Sequence, residues 1–62
     1  MTQTFTLTIT AFGIGKEIIN FDAKTSKEAI KDARDYVAMK YEGYTGVFNL
    51  KNSRCNLYDC AF

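Results

Sequence analysis

The sequence predicts an α+β fold: a four-stranded antiparallel sheet in the order ββαββ, with strands arranged 2-1-3-4 and one helix packed on one face. Three observations lead to it. Two segments near the start alternate apolar and polar residues, a middle segment repeats its apolar residues every three or four positions, and two shorter alternating segments follow. A chain of 62 residues carrying this pattern is one domain, residues 1–62.

The first segment, "TFTLTITAF" from Thr4 to Phe12, alternates almost without fault. Successive side chains of a strand point to opposite faces. We therefore expect the odd-numbered residues to meet the helix and the even-numbered threonines to line an open face. The odd-numbered residues are Phe5, Leu7, Ile9 and Ala11.

The second strand follows a tight reversal at "GIGK", where two glycines can adopt positive φ. The strand "EIINFDA" alternates again. It should place Ile19, Phe21 and Ala23 on the covered face of the sheet.

The helix is predicted from a cap at Thr25, with Glu28 completing a capping box and Ser26 as a second possible cap. It should continue to about Glu42, where Gly43 follows in a position typical of a left-handed residue. The buried stripe is expected to contain Ala29, Ile30, Ala33, Val37 and Tyr41.

The last two strands are predicted at "VFNLK" and within "CNLYDCAF", joined by the polar turn "KNSR". Strict alternation in the final strand would put Cys55 and Leu57 on one face and Asn56, Tyr58 and Cys60 on the other. The helix returns the chain to the opposite end of the sheet, so the third strand should lie antiparallel beside the first.

Several chemistries are disfavoured by the residues present. The chain has no histidine, which removes Ser-His and Cys-His nucleophiles. "GIGK" lacks the frame of a phosphate loop and joins two strands instead of opening a helix. We expect no enzymatic activity, no cofactor and no metal site.

The formal net charge of +1 provides no broad surface for nucleic acid or an anionic membrane. The N-terminal residues lack the features of a signal peptide, and no apolar run is long enough to span a bilayer. We therefore expect a cytoplasmic protein with no membrane partner. In that compartment Cys55 and Cys60 should be free thiols, although one bridge between them is the alternative.

The outer helix face is the first candidate binding surface. Taking about 100° per residue, four acids and one methionine fall along one side. Their alternative role is a solvated face paired with Lys27, Lys31 and Arg34. The five residues are Glu28, Asp32, Asp35, Met39 and Glu42.

The open sheet face is the second candidate. Aromatic side chains there, near Lys16, Lys51 and Arg54, could stack single-stranded bases, whereas the alternative is plain solvent-exposed surface. The two edge strands could also pair with a partner strand or a second copy, so monomer and homodimer both stay open. The candidate residues of this face are Thr6, Thr8, Phe12, Asn56 and Tyr58.

The succession of a hairpin, the helix segment "FDAKTSKEAIKDARDYVA", "GVFNL" and a short final strand resembles small phage-encoded inhibitors of host defence, including anti-CRISPR proteins. Antitoxin-like strand-helix-strand domains look similar. The resemblance implies a non-enzymatic single domain that binds a larger protein complex in a bacterial host and blocks its nucleic-acid path. It carries no shared motif and assigns no functional residue.

Overall fold

The computed structural model describes residues 2–62, which form an α+β fold with four strands and one helix. The element order ββαββ agrees with the prediction. The strands are β1 (Gln3–Ala11), β2 (Gly15–Ala23), β3 (Gly46–Lys51) and β4 (Asn56–Ala61), and the helix is α1 (Ser26–Lys40).

The sheet has the order β2-β1-β3-β4, and every neighbouring pair is antiparallel. The predicted order 2-1-3-4 is therefore confirmed. In the centre, Leu7 of β1 lies opposite Ile19 of β2 and Leu50 of β3. The odd-numbered residues of β1 are buried as expected, since they form the row on which the helix packs: Phe5, Leu7, Ile9 and Ala11.

The helix begins at the predicted cap, where the Thr25 hydroxyl accepts a hydrogen bond from the Glu28 amide at 3.1 Å. Its buried residues are Ala29, Ala33 and Val37, while Ile30 is half-buried beside them. The alanines allow the helix to lie close to the sheet.

The helix ends at Lys40, two residues before the predicted end at about Glu42. Tyr41 leaves the helical region with φ −111° and ψ 29°, although its amide still donates to the Val37 carbonyl at 2.9 Å. Gly43 follows with φ 85°. Glu42 consequently lies in the turn after α1, two residues beyond Lys40, and is not part of the helix face on which it was predicted.

The reversal between β1 and β2 occurs at the two predicted glycines. Gly13 has φ 86° and Gly15 has φ 131°, values that L-residues rarely adopt. The Ile14 amide closes the turn by donating to the Ala11 carbonyl at 3.1 Å. Phe12 therefore lies in the turn and not in β1.

The facing of β4 differs from the predicted alternation, because a β-bulge interrupts its pairing with β3. Leu50 lies opposite Tyr58, but the next residue, Lys51, lies opposite Asn56, so Leu57 is the extra residue. Tyr58 thus shares the covered face with Leu50 and packs against the core, whereas Asn56 stays on the open face. The assignment of Tyr58 to the open sheet face was wrong.

Gly46, the first residue of β3, lies where the sheet and the end of the chain meet. Its amide and carbonyl exchange hydrogen bonds with Phe62 at 3.0 and 2.9 Å. A Cβ at this position would stand 2.9 Å from both the Ala11 Cα and the Phe62 ring, besides meeting the Thr10 carbonyl oxygen. Backbone atoms cannot yield as a flexible side chain does, so only glycine fits here without displacement.

Gly46→Ala should therefore lower the free energy of unfolding by about 1–3 kcal/mol, the usual cost of overpacking. Chemical denaturation followed by circular dichroism measures it. Thr45→Ala, at the exposed neighbouring position, is the matched control and should stay within about 0.5 kcal/mol of the wild-type protein. Equal stability of the two variants would contradict this account of Gly46.

Candidate protein-binding surfaces

The outer face of α1 is exposed along its length. Met39 retains 81% of its accessible surface, the largest value among the exposed large hydrophobic residues of the described chain. Glu28, Asp32 and Asp35 are exposed on the same side of the helix, and Glu42 is exposed in the following turn. The structure therefore brings four of the five predicted residues onto one helix face.

The ion pairs that would neutralise this face are not formed. Within residues 2–62 the salt bridge is Lys40–Glu17, and it joins the helix to β2. At about 100° per residue, Lys27, Lys31 and Arg34 fall on the helix flank next to the acids. Glu28 and Asp35 line one depression of the helix surface together with these three cations. We call this outward surface, formed by Glu28, Asp32, Asp35 and Met39, the acidic helix face.

The open sheet face has a polar half in which side chains bond to each other. The Thr4 hydroxyl donates to Asp22 and the Thr6 hydroxyl donates to Asn20, both at 2.8 Å. On β3 and β4, the Asn49 amide donates to Asp59 at 2.6 Å and also to Asn56. These groups already have partners, so their capacity to hydrogen-bond a ligand is reduced.

The other half of the open face carries exposed apolar side chains. Phe12, Ile18 and Val47 are exposed, retaining 61%, 61% and 44% of their accessible surface. The register places Thr8 beside Ile18 and Thr10 beside Val47, so the threonines lie between the apolar side chains. We call Phe12, Ile18 and Val47 the apolar corner. Of these three residues, Phe12 was among the candidates predicted for the open sheet face.

A cluster that the sequence analysis missed joins β2 to the end of the helix. The Glu17 carboxylate accepts hydrogen bonds from Lys40 at 2.6 Å, Tyr41 at 2.7 Å and Tyr36 at 3.2 Å. The Lys40 ammonium also lies 5.4 Å from the centre of the Tyr36 ring. We call these four residues the Glu17 cluster. The sequence contained one signal for this cluster, because Glu17 is a carboxylate at the end of the row of β2 residues that faces the helix.

The cluster shifts the pKa values of its members in directions set by these bonds. The hydrogen bond from Lys40, followed by that from Tyr41, holds the pKa of the Glu17 carboxyl below its usual 4.5. The hydrogen bond to Glu17 raises the pKa of the Tyr41 phenol above its usual 10.0. Both shifts favour the charge states in which the cluster is fully bonded.

Three further observations concern the described part of the chain. Within residues 2–62, no helix is long and apolar enough to cross a membrane. The same residues contain no group of three or more His, Cys, Asp or Glu side chains placed to hold a metal ion. Cys55 is exposed, Cys60 is half-buried, and both are free thiols.

Comparison of the chain with protein-family models, with curated proteins and with solved structures found no match.

The Glu17 cluster predicts a pH-dependent contribution to stability. A carboxyl whose pKa is lowered by folding contributes stability above its unfolded pKa and loses it as the pH falls through the folded pKa. The melting temperature of Glu17→Gln should therefore lie below that of the wild-type protein near neutral pH. The difference should shrink as the pH falls below about 4.5.

Thermal unfolding at a series of pH values measures this difference. Asp32→Asn, which removes an exposed carboxylate that lies outside the cluster, is the control and should melt like the wild-type protein near neutral pH. A difference between Glu17→Gln and wild type that stayed constant through the acid range would contradict the assignment.

Proposed function

We propose that this chain is a non-enzymatic protein-binding module of the cytoplasm, an inhibitor that blocks a surface of a larger protein complex through its acidic helix face. The observation that supports it is the set of exposed, unpaired carboxylates around Met39, which is 81% exposed. An interface core of one flexible apolar side chain within a charged rim is an arrangement that protein partners recognise.

The partner's chemistry follows from this face. Carboxylates on the rim would meet lysine or arginine side chains, which increases the rate of association and selects the partner. Met39 would enter an apolar pocket between them. A complex that handles nucleic acid presents such basic surfaces, which agrees with the resemblance to phage-encoded inhibitors of host defence.

The alternative function suggested by the sequence is the stacking of single-stranded nucleic acid on the open sheet face. It has less support because Tyr58 lies on the covered face. Phe12 is the aromatic residue left of those predicted there, and the polar half is bonded within itself. Salt-dependent binding of a single-stranded oligonucleotide would favour this alternative over the acidic helix face.

Self-association is favoured by one specific observation, the exposure of the apolar corner. Exposed apolar side chains on one part of a small sheet are a common site of contact between copies. Sedimentation at two protein concentrations distinguishes the cases, because an inhibitor acting through the helix face needs no dimer. An Ile18→Glu substitution should dissociate a dimer formed through this corner.

The test of the acidic helix face is the double variant Glu28→Lys/Asp35→Lys. Both residues are exposed, so the fold should be kept. The variant should lose a partner that tagged wild-type protein captures from a bacterial lysate, with at least about a tenfold fall in affinity once that partner is purified. Circular dichroism verifies the fold.

The matched control is Asp22→Lys/Asp59→Lys, which makes the same change in net charge on the open sheet face. This control should retain the partner. The reverse result, in which the control loses the partner and Glu28→Lys/Asp35→Lys keeps it, would assign the contact to the open sheet face and reject the helix.

A further inference from the structure

β2 forms one outer edge of the sheet, and this edge is long and regular. The strand contains nine residues and pairs with β1 without interruption. β4, at the other edge, contains six residues, and its pairing with β3 is interrupted by the bulge. Short edge strands and bulges hinder pairing with another chain. β2 has neither feature, so its edge is the better suited to accept a further strand.

The backbone groups on this edge belong to alternate residues of β2. The Phe12 amide donates to the carbonyl of Thr45, its opposite residue, at 2.8 Å. The even-numbered residues of β1 therefore direct their backbone groups to β3, and the odd-numbered ones direct theirs to odd-numbered residues of β2. The even-numbered residues of β2 direct their amides and carbonyls away from the sheet. They are Lys16, Ile18, Asn20 and Asp22.

The side chains of these four residues form one exposed row on the open sheet face. In chain order the row reads cation, apolar residue, amide and acid. Within residues 2–62 neither Lys16 nor Asp22 forms a salt bridge, although the Asp22 carboxylate accepts a hydrogen bond from Thr4. An antiparallel second copy presents the same row in reverse order. Each charge of one copy therefore meets the opposite charge of the other.

We propose that two copies of this chain pair through their β2 edges, antiparallel and about a two-fold axis beside Ile19, so that the two four-stranded sheets form one. Lys16 then lies opposite Asp22 of the second copy, and Ile18 lies opposite Asn20 of the second copy. Each pair occurs twice. Directly opposite residues of antiparallel strands have Cβ atoms about 5 Å apart, which allows both charge pairs to form. The bonded residues would exchange about eight backbone hydrogen bonds.

Charge selects this register among those that the backbone permits. Outward groups belong to every second residue, so the alternative registers differ by two positions. A shift in one direction puts Lys16 opposite Asn20, and a shift in the other direction puts Lys16 opposite Lys24. Both shifts remove the two pairs of opposite charge, and like charges opposite each other destabilise a sheet.

The covered face of β2 is incompletely buried, and a second copy would extend its cover. Phe5 and Leu7 of β1 are 0% and 1% exposed, whereas their β2 neighbours Phe21 and Ile19 are half-buried. In the proposed register Ile19 lies opposite Ile19 of the second copy. Each helix contacts β1 and β2, so the two helices would lie about two strand spacings apart on this face. That separation, about 10 Å, is usual for packed helices.

The helix charges near this edge follow the same order as the strand charges. Tyr36 and Lys40 bond to Glu17, so this flank of α1 faces β2, and Asp32 lies on it one turn before Tyr36. Because α1 follows β2 and runs back along it, Asp32 lies toward the Asp22 end of the edge. The two-fold axis thus brings the acidic end of one copy to the basic end of the other. Glu17 is already paired with Lys40.

Sedimentation equilibrium at low ionic strength tests this dimer on the intact chain. The wild-type protein should form a reversible dimer as its concentration rises. Lys16→Asp and Asp22→Lys should each weaken the dimer at least about tenfold, because each replaces two attractive pairs with two repulsive ones. Lys51→Asp and Asp59→Lys make the same charge changes away from the β2 edge and should retain the dimer. Circular dichroism verifies the fold of every variant.

A mixture of the two weakened variants tests the register directly. When one chain carries Lys16→Asp and the other carries Asp22→Lys, both cross-strand pairs again have opposite charges. The mixture should therefore form dimers that contain one chain of each variant, and native mass spectrometry identifies them by mass. The double variant Lys16→Asp/Asp22→Lys exchanges the two charges and should dimerise like the wild-type protein.

The backbone part of the contact is tested at Asn20. Asn20→Pro removes an outward amide without removing a bond to β1 and should weaken the dimer at least about tenfold. Asn20→Ala, which keeps that amide, is its control and should retain the dimer.

Three results would overturn the proposal: a monomer at every concentration, a dimer that Lys16→Asp leaves intact, or a mixture of the two variants that forms no heterodimer. A dimer that Phe12→Ser/Val47→Thr dissociates and Lys16→Asp does not would instead assign the contact to the apolar corner. The β2 dimer does not rest on the acidic helix face. All of these variants keep that face unchanged, so capture of its partner is measured separately.

Discussion

The close seating of one helix on a four-stranded sheet is the constraint on which the rest of the molecule depends. Ala29, Ala33 and Val37 form the contact, and the two alanines allow the helix backbone to approach the β1 row. A helix is about 10 Å wide with its side chains, whereas four strands spaced about 4.8 Å apart span more than that. One helix therefore cannot cover the whole face, and part of the sheet must stay accessible.

The Glu17 cluster determines which part stays accessible. It ties the last turn of α1 to β2 through three hydrogen bonds on one carboxylate. With the helix held toward β2, the covered face opens beside β4, where a groove is lined by Phe48 and Phe62, whose rings lie 6.3 Å apart. A cluster that stabilises the fold on one side thus creates a potential binding site on the other.

The exposed charges of the helix are mixed and not paired. Glu28 and Asp35 line one depression together with Lys27, Lys31 and Arg34, and no salt bridge joins them within residues 2–62. A partner of the acidic helix face would therefore meet these cations as well as the carboxylates.

The sequence by itself determined the features that depend on local periodicity. Alternation placed Phe5, Leu7 and Ile9 in the core, and the cap at Thr25 and the glycines of the first turn marked where elements change. Connection lengths and chain direction were enough for the strand order.

Only the tertiary structure decided the facing of Tyr58 and the partners of Glu17. A bulge inserts one residue into β4. The alternation of residues along one strand cannot reveal such an insertion, because a bulge is defined by the pairing with the neighbouring strand. The Glu17 carboxylate meets side chains 19 to 24 residues away, which become neighbours only after the helix has packed. Local patterns specify which face a residue prefers, whereas contacts between distant segments depend on how the faces are assembled.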